Sequence, residues 1–217
     1  MNDKGVQDRL LEAAEDLFCR RGFKDTSVRE IAAAAGCNVA AINYYFGGKE
    51  KLYIAFWRRW LATLRETRIA AIDRVMSGGP EPALEELLGS YARSFLEPLL
   101  DGQGLEGQGR CRFVELMVRE MVDPHLPADM FVREMANPVM AVLSEALERL
   151  CPWLEPEAVG PIILSVVGQL VHAIAARQMF EQCGGAGAPQ RDLEKTVEHI
   201  VRFSAAGIRG YANGERK

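Results

Sequence analysis

The stretch 27–51 reads SVREIAAAAGCNVAAINYYFGGKEK, which predicts two short helices, a tight turn between them and the start of a third helix. Ser27 and Glu30 have the spacing of a capping box, in which each side chain satisfies a backbone N–H left free at a helix start. Gly36 supplies the backbone freedom of a tight turn, and Asn38 is a favourable N-cap for the second helix. The pattern is that of a helix-turn-helix motif, whose second helix reads DNA in the major groove.

The second helix, predicted over 39–46, separates into an inner and an outer face at about 100° per residue. Small side chains on its outer face would let it lie deep in a major groove, with alanines against thymine methyl groups. The Asn43 amide could pair with adenine, and the Tyr44 hydroxyl could reach a phosphate or a base. Lys49 opens the next helix, where its charge adds to free backbone donors and favours a phosphate. A hydroxyl at Thr26 could take a phosphate or cap the loop. The predicted DNA-binding residues are Thr26, Ala40, Ala41, Asn43, Tyr44 and Lys49.

These segments also carry a family resemblance. The sequences TSVREIA at 26–32, INYYF at 42–46 and KEKL at 49–52 resemble the TetR/AcrR family of one-component transcriptional repressors. The resemblance is strong over residues 6–56 and extends to the remainder only in size and helical character. INYYFGGKEKLY at 42–53 and FVELMVREM at 113–121 further resemble the CecR-type branch. Asn43 departs from the family, whose members often carry at this position a tyrosine that contacts the DNA backbone.

The resemblance implies an all-α, TetR-like fold with two domains. A three-helix helix-turn-helix DNA-binding domain is predicted at residues 1–50, and a larger helical domain for ligand binding and dimerisation at residues 51–217. The implied partners are double-stranded operator DNA with a pseudo-palindromic sequence, a small-molecule effector and a second copy of the chain.

Composition narrows the class of protein. The chain has 217 residues, 48% of them hydrophobic, and a formal net charge of −4, which argues against non-specific coating of nucleic acid. The first 60 residues hold ten Lys and Arg against eight Asp and Glu, so the predicted DNA-binding end is mildly basic and the remainder acidic. No HExxH, GxSxG, P-loop or GxGxxG motif indicates an enzyme.

Cysteine and histidine spacing predicts neither a metal site nor a cofactor. The five cysteines include no CxxC pair and are interpreted as free thiols in a reducing cytoplasm. Cys37, beside the turn, is either a redox sensor or a small buried residue. His125, His172 and His199 lie far apart, so a metal site would need tertiary convergence. No signal peptide is expected, and no apolar run is expected to reach the ~20 residues that span a bilayer, so no membrane partner is predicted.

A ligand pocket is predicted from methionine and aromatic side chains, although ordinary core packing explains any one of them equally well. Glu120 lies on an apolar, Met-rich helix face, where a carboxylate must be paired or wet. It could bind a cationic or hydrogen-bonding ligand, or it could have an internal partner such as a nearby arginine. The predicted pocket residues are Phe95, Phe113, Met117, Glu120, Met121, Phe131, Met135 and Trp153.

The last two helices are predicted to form the dimer interface. The helix over 157–180 is apolar nearly all round, which is typical of a helix covered on both sides. Pairing both helices with their copies would make a four-helix interface, while a core within one chain is the alternative. The predicted interface residues are Ile163, Val167, Leu170, Val171, Ile174, Val197, Ile200, Val201 and Ser204.

The sequence therefore favours a ligand-responsive repressor that binds an operator as a homodimer and is released when a small, largely hydrophobic molecule enters its C-terminal domain. Two alternatives stay open. The chain could be an activator, because the sign of regulation depends on where the operator lies. It could also be a helix-turn-helix protein that acts mainly through protein contacts.

Overall fold

The computed structural model describes residues 3–79, 82–100, 116–117, 119–120, 123–182 and 192–213. Within these ranges the chain is all-α, with one π-helical turn and no strand, as predicted. The helices are α1 (Asp3–Arg21), α2 (Val28–Ala34), α3 (Val39–Phe46), α4 (Lys49–Ser77), α5 (Leu84–Leu100), α6 (Asn137–Leu150), α7 (Pro156–Gln182) and α8 (Leu193–Asn213).

The chain divides into two compact units. The head unit comprises Met1–Thr63 and Leu105–Met135, and the body unit comprises Leu64–Gly104 and Ala136–Lys217. This grouping differs from the predicted boundary after residue 50, because the first half of α4 packs on α1. Phe18 lies edge-on to Tyr53 with ring centroids 4.9 Å apart, and Trp60 Nε1 donates to Glu15 Oε1 at 3.2 Å.

Local capping fixes the helix-turn-helix as the sequence predicts. Ser27 and Glu30 form both bonds of the capping box at the start of α2, and the Asn38 side chain accepts from Ala40 N at 3.0 Å at the start of α3. Gly36 in the turn and Gly47 after α3 have φ of 62° and 74°, a conformation that costs glycine little and other residues more. The two helices are thus set by contacts between near neighbours in sequence.

Residues 130–150 form one continuous helical segment. A π-helical turn at Val132–Ala136 runs directly into α6, so Asn137 does not open a new helix as its sequence context predicts. Pro138 lacks the N–H that would bond four residues back, and a wider turn is one way for a helix to accommodate that loss.

The body unit is held by α5, α6, α7 and α8. Ser90 of α5 donates to Ala71 O of α4 at 2.9 Å, and Gln169 Nε2 of α7 donates to Ser204 Oγ of α8 at 3.1 Å. Arg93 makes two hydrogen bonds, of 3.1 and 2.7 Å, to the carboxylate of Glu194. Apolar packing and bidentate pairing therefore fix α5 against α8.

Helix α7 is more apolar than expected. Its segment Pro156–Arg177 is long and apolar enough to cross a membrane by length and composition, contrary to the prediction that no run reaches that length. Ile163 and Leu170 are fully buried, and the Gln169 bond joins α7 to α8. We therefore interpret α7 as a core helix of the body unit.

Candidate nucleic-acid interface

Helix α3 separates its inner and outer faces as predicted. Ile42 is fully buried, whereas Ala40, Asn43 and Tyr44 are exposed, Tyr44 to 80%. Ala41 lies half-buried at the edge of this surface. An aromatic ring so exposed on a helix in this position is not explained by packing within the head unit. The outer face of α3 thus presents small and hydrogen-bonding side chains suited to a groove.

Lys49, the first residue of α4, is held over the loop between α1 and α2. Its Nζ lies 4.3 Å from the Phe23 ring centroid and donates to Lys24 O at 3.5 Å. Partial burial lowers the pKa of this ammonium from its usual range. The lysine therefore also stabilises the loop, in addition to the phosphate contact predicted for it.

Thr26 is placed differently from the prediction. It is 1% exposed, and its hydroxyl lies 2.8 Å from Gly22 O and 3.3 Å from Leu17 O, to which it can donate. The hydroxyl therefore closes the loop after α1, the alternative role, and its side chain is not presented to a phosphate. The sequence does not distinguish these roles because both place a hydroxyl before a helix.

Two arginines that the sequence did not assign to the motif hold it in place. Arg9 of α1 donates through Nε to Ala35 O at 3.3 Å and through Nη2 to Cys37 Sγ at 3.7 Å. Arg21 pairs with Glu30 at 2.6 Å. Hydrogen bonds from Ser27, followed by that from Arg21, lower the pKa of the Glu30 carboxyl. Their signal in sequence is only a basic residue on α1, which does not specify its partner.

Glu120 has internal partners, although not the arginine that was considered. Its Oε2 accepts from the Tyr53 hydroxyl at 2.7 Å, and its Oε1 accepts from the backbone N–H of Leu126 at 2.7 Å and from that of His125. Burial, the largest cause, raises the pKa of Tyr53 well above its usual range. The carboxylate thereby joins α4 to the turn at 123–126.

The predicted pocket residues do not converge in either unit. Phe131 and Trp153 are 41% and 43% exposed, while Met135 is buried. Phe95 is buried in the body unit, where the Arg68 guanidinium lies 3.9 Å from its ring centroid. Burial lowers the pKa of Arg68 to about 10. Met117 and Glu120 belong to the head unit, and Phe113 and Met121 lie outside the described residues.

Most of the predicted dimer residues are instead the core of the protomer. Helical periodicity marks an apolar face but does not say what covers it. The side chains that the fold buries are Ile163, Leu170, Ile174, Val197, Ile200 and Ser204. Val167 and Val201 are half-buried, and Val171 alone of the predicted set is exposed, to 49%. A different set of large apolar side chains is exposed on the same helices: Leu164 at 60%, Phe203 at 65% and Tyr211 at 51%.

Comparison with known proteins matches both parts of the chain. The sequence model described as "Bacterial regulatory proteins, tetR family" matches residues 10–56. The model described as "Tetracyclin repressor-like, C-terminal domain" matches residues 93–207. The chain belongs to the TetR family of transcriptional regulators. Its helix-turn-helix is therefore a DNA-binding element of a regulator, and the family does not indicate an enzyme.

Individual relatives differ in how much of this TetR-family chain they match. The regulator RutR of Escherichia coli K12 is 28% identical over 212 residues, which span 92% of this chain and 89% of RutR. The dual regulator CecR of Shigella flexneri is 50% identical over 64 residues, 29% of this chain and 28% of CecR. The likeness to CecR is thus high over a short segment only.

The fold matches solved TetR-like structures along nearly the whole chain. The FadR regulator of Bacillus subtilis, crystallised in complex with stearoyl-CoA, superposes with a TM-score of 0.67. It covers 92% of this chain and 98% of FadR at 17% identity. At that identity the similarity establishes the fold alone.

Proposed function

We propose that this TetR-family regulator binds a pseudo-palindromic operator as a homodimer, represses transcription there, and is released by a small, largely hydrophobic ligand. The observation that carries the proposal is the outer face of α3, where Ala40, Asn43 and Tyr44 are exposed on a helix whose opposite side is fixed by buried Ile42. Lys49 adds a cation at the start of the following helix. RutR and CecR are both named as helix-turn-helix transcriptional regulators, and NicS of Pseudomonas putida as a repressor.

The exposed apolar surface of α7 and α8 supports the homodimer. Leu164 and Val171 are seven residues apart on one side of α7, and Phe203 and Tyr211 are eight apart on α8, so each pair lies on one helix face. Nothing lies within 4 Å of a side chain added at Gly168, which leaves room for a close approach. Two copies related by a two-fold axis would cover this surface and place two reading helices about one DNA turn, ~34 Å, apart.

The ligand is the least specified part of the proposal. FadR of B. subtilis binds stearoyl-CoA in its crystal structure, which is compatible with a hydrophobic effector for a protein of this fold. A cleft of about 540 Å³ lies in the body unit, but its lining is largely polar. Its residues are Thr67, Ala71, Arg74, Val75, Glu86, Ser90, Arg93, Ser94 and Glu97.

Release would follow from population shift. A ligand changes the operator affinity only if it binds more tightly to the arrangement in which the two reading helices are wrongly spaced for successive major grooves. A preference of ~1–3 kcal/mol gives several-fold to about hundredfold release.

The deciding experiment is binding of the purified protein to a labelled fragment from upstream of its own coding region, with excess non-specific DNA and a salt series. Competitor-resistant binding at two half-sites, with a steep dependence on salt, is the expected result. If that fragment fails, selection from random DNA follows. Failure to enrich any sequence would contradict the operator proposal and favour the alternative of a helix-turn-helix protein that acts through protein contacts.

An activator with the same contacts is the second candidate, because contacts with the operator do not set the sign of regulation. Transcription from a reporter promoter, with the selected operator placed within it or upstream of it, separates the two. A regulator of this family acts on DNA, and we propose a cytoplasmic location for it.

A further inference from the structure

The head unit contains a cleft of about 640 Å³ that the functions above do not use. It lies between the end of α1 with its following loop, residues 20–25, and residues 116–125, and Tyr53 of α4 also lines it. Its volume falls within the range of small-molecule sites, about 300–1,000 Å³. A molecule bound here would contact the DNA-binding part of the protein directly.

One side of the cleft is aromatic. The Phe23 ring lies 4.4 Å from the His125 ring and 4.9 Å from the Tyr53 ring, measured between centroids. Buried Leu116 adds an aliphatic contact. Rings and a leucine at this spacing favour a ligand with a flat apolar body.

The charged groups of the cleft favour an anion over a cation. Glu120 is the most buried of its acids, and both of its oxygens already accept hydrogen bonds, from Tyr53 and from the turn at 125–126. Asp123 is paired with Lys24 at 2.6 Å. These two carboxylates are therefore committed within the protein.

The arginines are held less firmly. Arg20 pairs with Asp16, and Arg21 with Glu30, in ion pairs whose side chains are all about half exposed. Exposed pairs of this kind contribute little, so a guanidinium can be redirected to a ligand carboxylate at small cost. Arg119 also lines the cleft, and its Nη1 lies 3.4 Å from where a side chain on Gly22 would begin.

We propose that this cleft is a second ligand site, in the head unit, and that it takes a small aromatic carboxylate. The ring packs against Phe23, Tyr53 and His125, and the carboxylate binds the guanidinium of Arg119, with Arg20 beside it. The site goes beyond the effector proposed for the C-terminal domain. Its occupant acts on the DNA-binding helices through Phe23, because Lys49 Nζ rests 4.3 Å from that ring.

Calorimetric titration of the full chain tests the site without DNA. The probe is 1-naphthoate, and 1-naphthamide is its uncharged counterpart. We expect one site per chain for naphthoate and binding of naphthamide at least about tenfold weaker, since a charge-assisted hydrogen bond is lost. Arg119→Gln is expected to weaken naphthoate binding by roughly tenfold as well. Arg149→Gln, at an exposed arginine of α6 in the body unit, makes the same charge change and should leave the affinity within about twofold.

Hydrogen exchange locates the probe independently. Peptides that cover residues 20–25 should gain protection with naphthoate in the wild type and not in Arg119→Gln. Arg119 is exposed, so the variant should keep its circular dichroism; Arg20→Gln replaces it if it does not. Equal affinity for acid and amide would overturn the anion assignment. Naphthoate that does not bind up to its solubility limit, or that binds both cleft variants as tightly as the wild type, would overturn the site. None of these outcomes depends on whether an operator exists.

Discussion

The Tyr53 hydroxyl of α4 donates a 2.7 Å hydrogen bond to the carboxylate of Glu120, 67 residues further along the chain. Tyr53 is 1% exposed, and Glu120 also caps the turn at 125–126 through its other oxygen. One largely buried carboxylate therefore holds both a helix of the head unit and the turn that follows residue 120. The head unit is larger than a three-helix motif because of such contacts.

Tyr53→Phe is expected to lower the free energy of unfolding by about 1.5–3 kcal/mol, because it removes a hydrogen bond to a charged group and leaves the carboxylate less well satisfied. Urea denaturation measures the change. Tyr44→Phe is the matched control, since Tyr44 is 80% exposed and should change stability by less than about 0.5 kcal/mol. Equal effects of the two substitutions would show that the Tyr53 bond does not stabilise the head unit.

Tyr44→Ala and Lys49→Ala should each weaken operator binding roughly tenfold while the helicity stays intact. Lys49→Ala should also reduce the slope of log affinity against log salt by about one per contact, since one phosphate contact is lost. Fluorescence anisotropy on the selected operator gives both quantities. Lys195→Ala, at an exposed lysine on α8, is the control for charge. Retained affinity in both head variants would remove these residues from the interface.

The paired substitutions Leu164→Glu and Phe203→Glu should convert the dimer to a folded monomer. Both wild-type side chains are at least 60% exposed on the protomer, so an introduced carboxylate is solvated in the monomer and buried only in the dimer. Ile163→Glu should unfold the body unit instead, because Ile163 is fully buried. Sedimentation velocity and circular dichroism distinguish the two results. A dimer that survives both exposed substitutions would show that the interface lies elsewhere.

The capping box should lose its contribution in acid. Hydrogen bonds from Ser27 and Arg21 hold the pKa of Glu30 below its usual value of 4.5, so the folded chain binds this proton less tightly than the unfolded chain. The stabilisation is therefore complete above about pH 4.5 and is lost as the pH falls through the lowered pKa of the folded state. The stability difference between wild type and Glu30→Gln should be present at pH 7 and shrink below about pH 4.5 in urea titrations. A difference that does not change with pH would assign the effect to packing rather than to charge.

The helix-turn-helix could be predicted residue by residue because its determinants are local. The capping box joins residues three apart, the Asn38 cap reaches two residues ahead, and the glycines act at their own positions. The outer face of α3 followed from the same helical period. The class of fold followed from the same segments through their resemblance to the TetR family.

The tertiary structure decided everything that depends on a partner distant in sequence. A period of 3.6 residues shows that α7 and α8 have apolar faces, but only the packed helices show that Ile163 and Ile200 are internal while Leu164 and Phe203 are not. The buried hydroxyl of Thr26 and the tyrosine partner of Glu120 were likewise invisible to spacing. Local hydrogen bonds are encoded within a few residues, whereas burial depends on which surfaces meet when the chain folds.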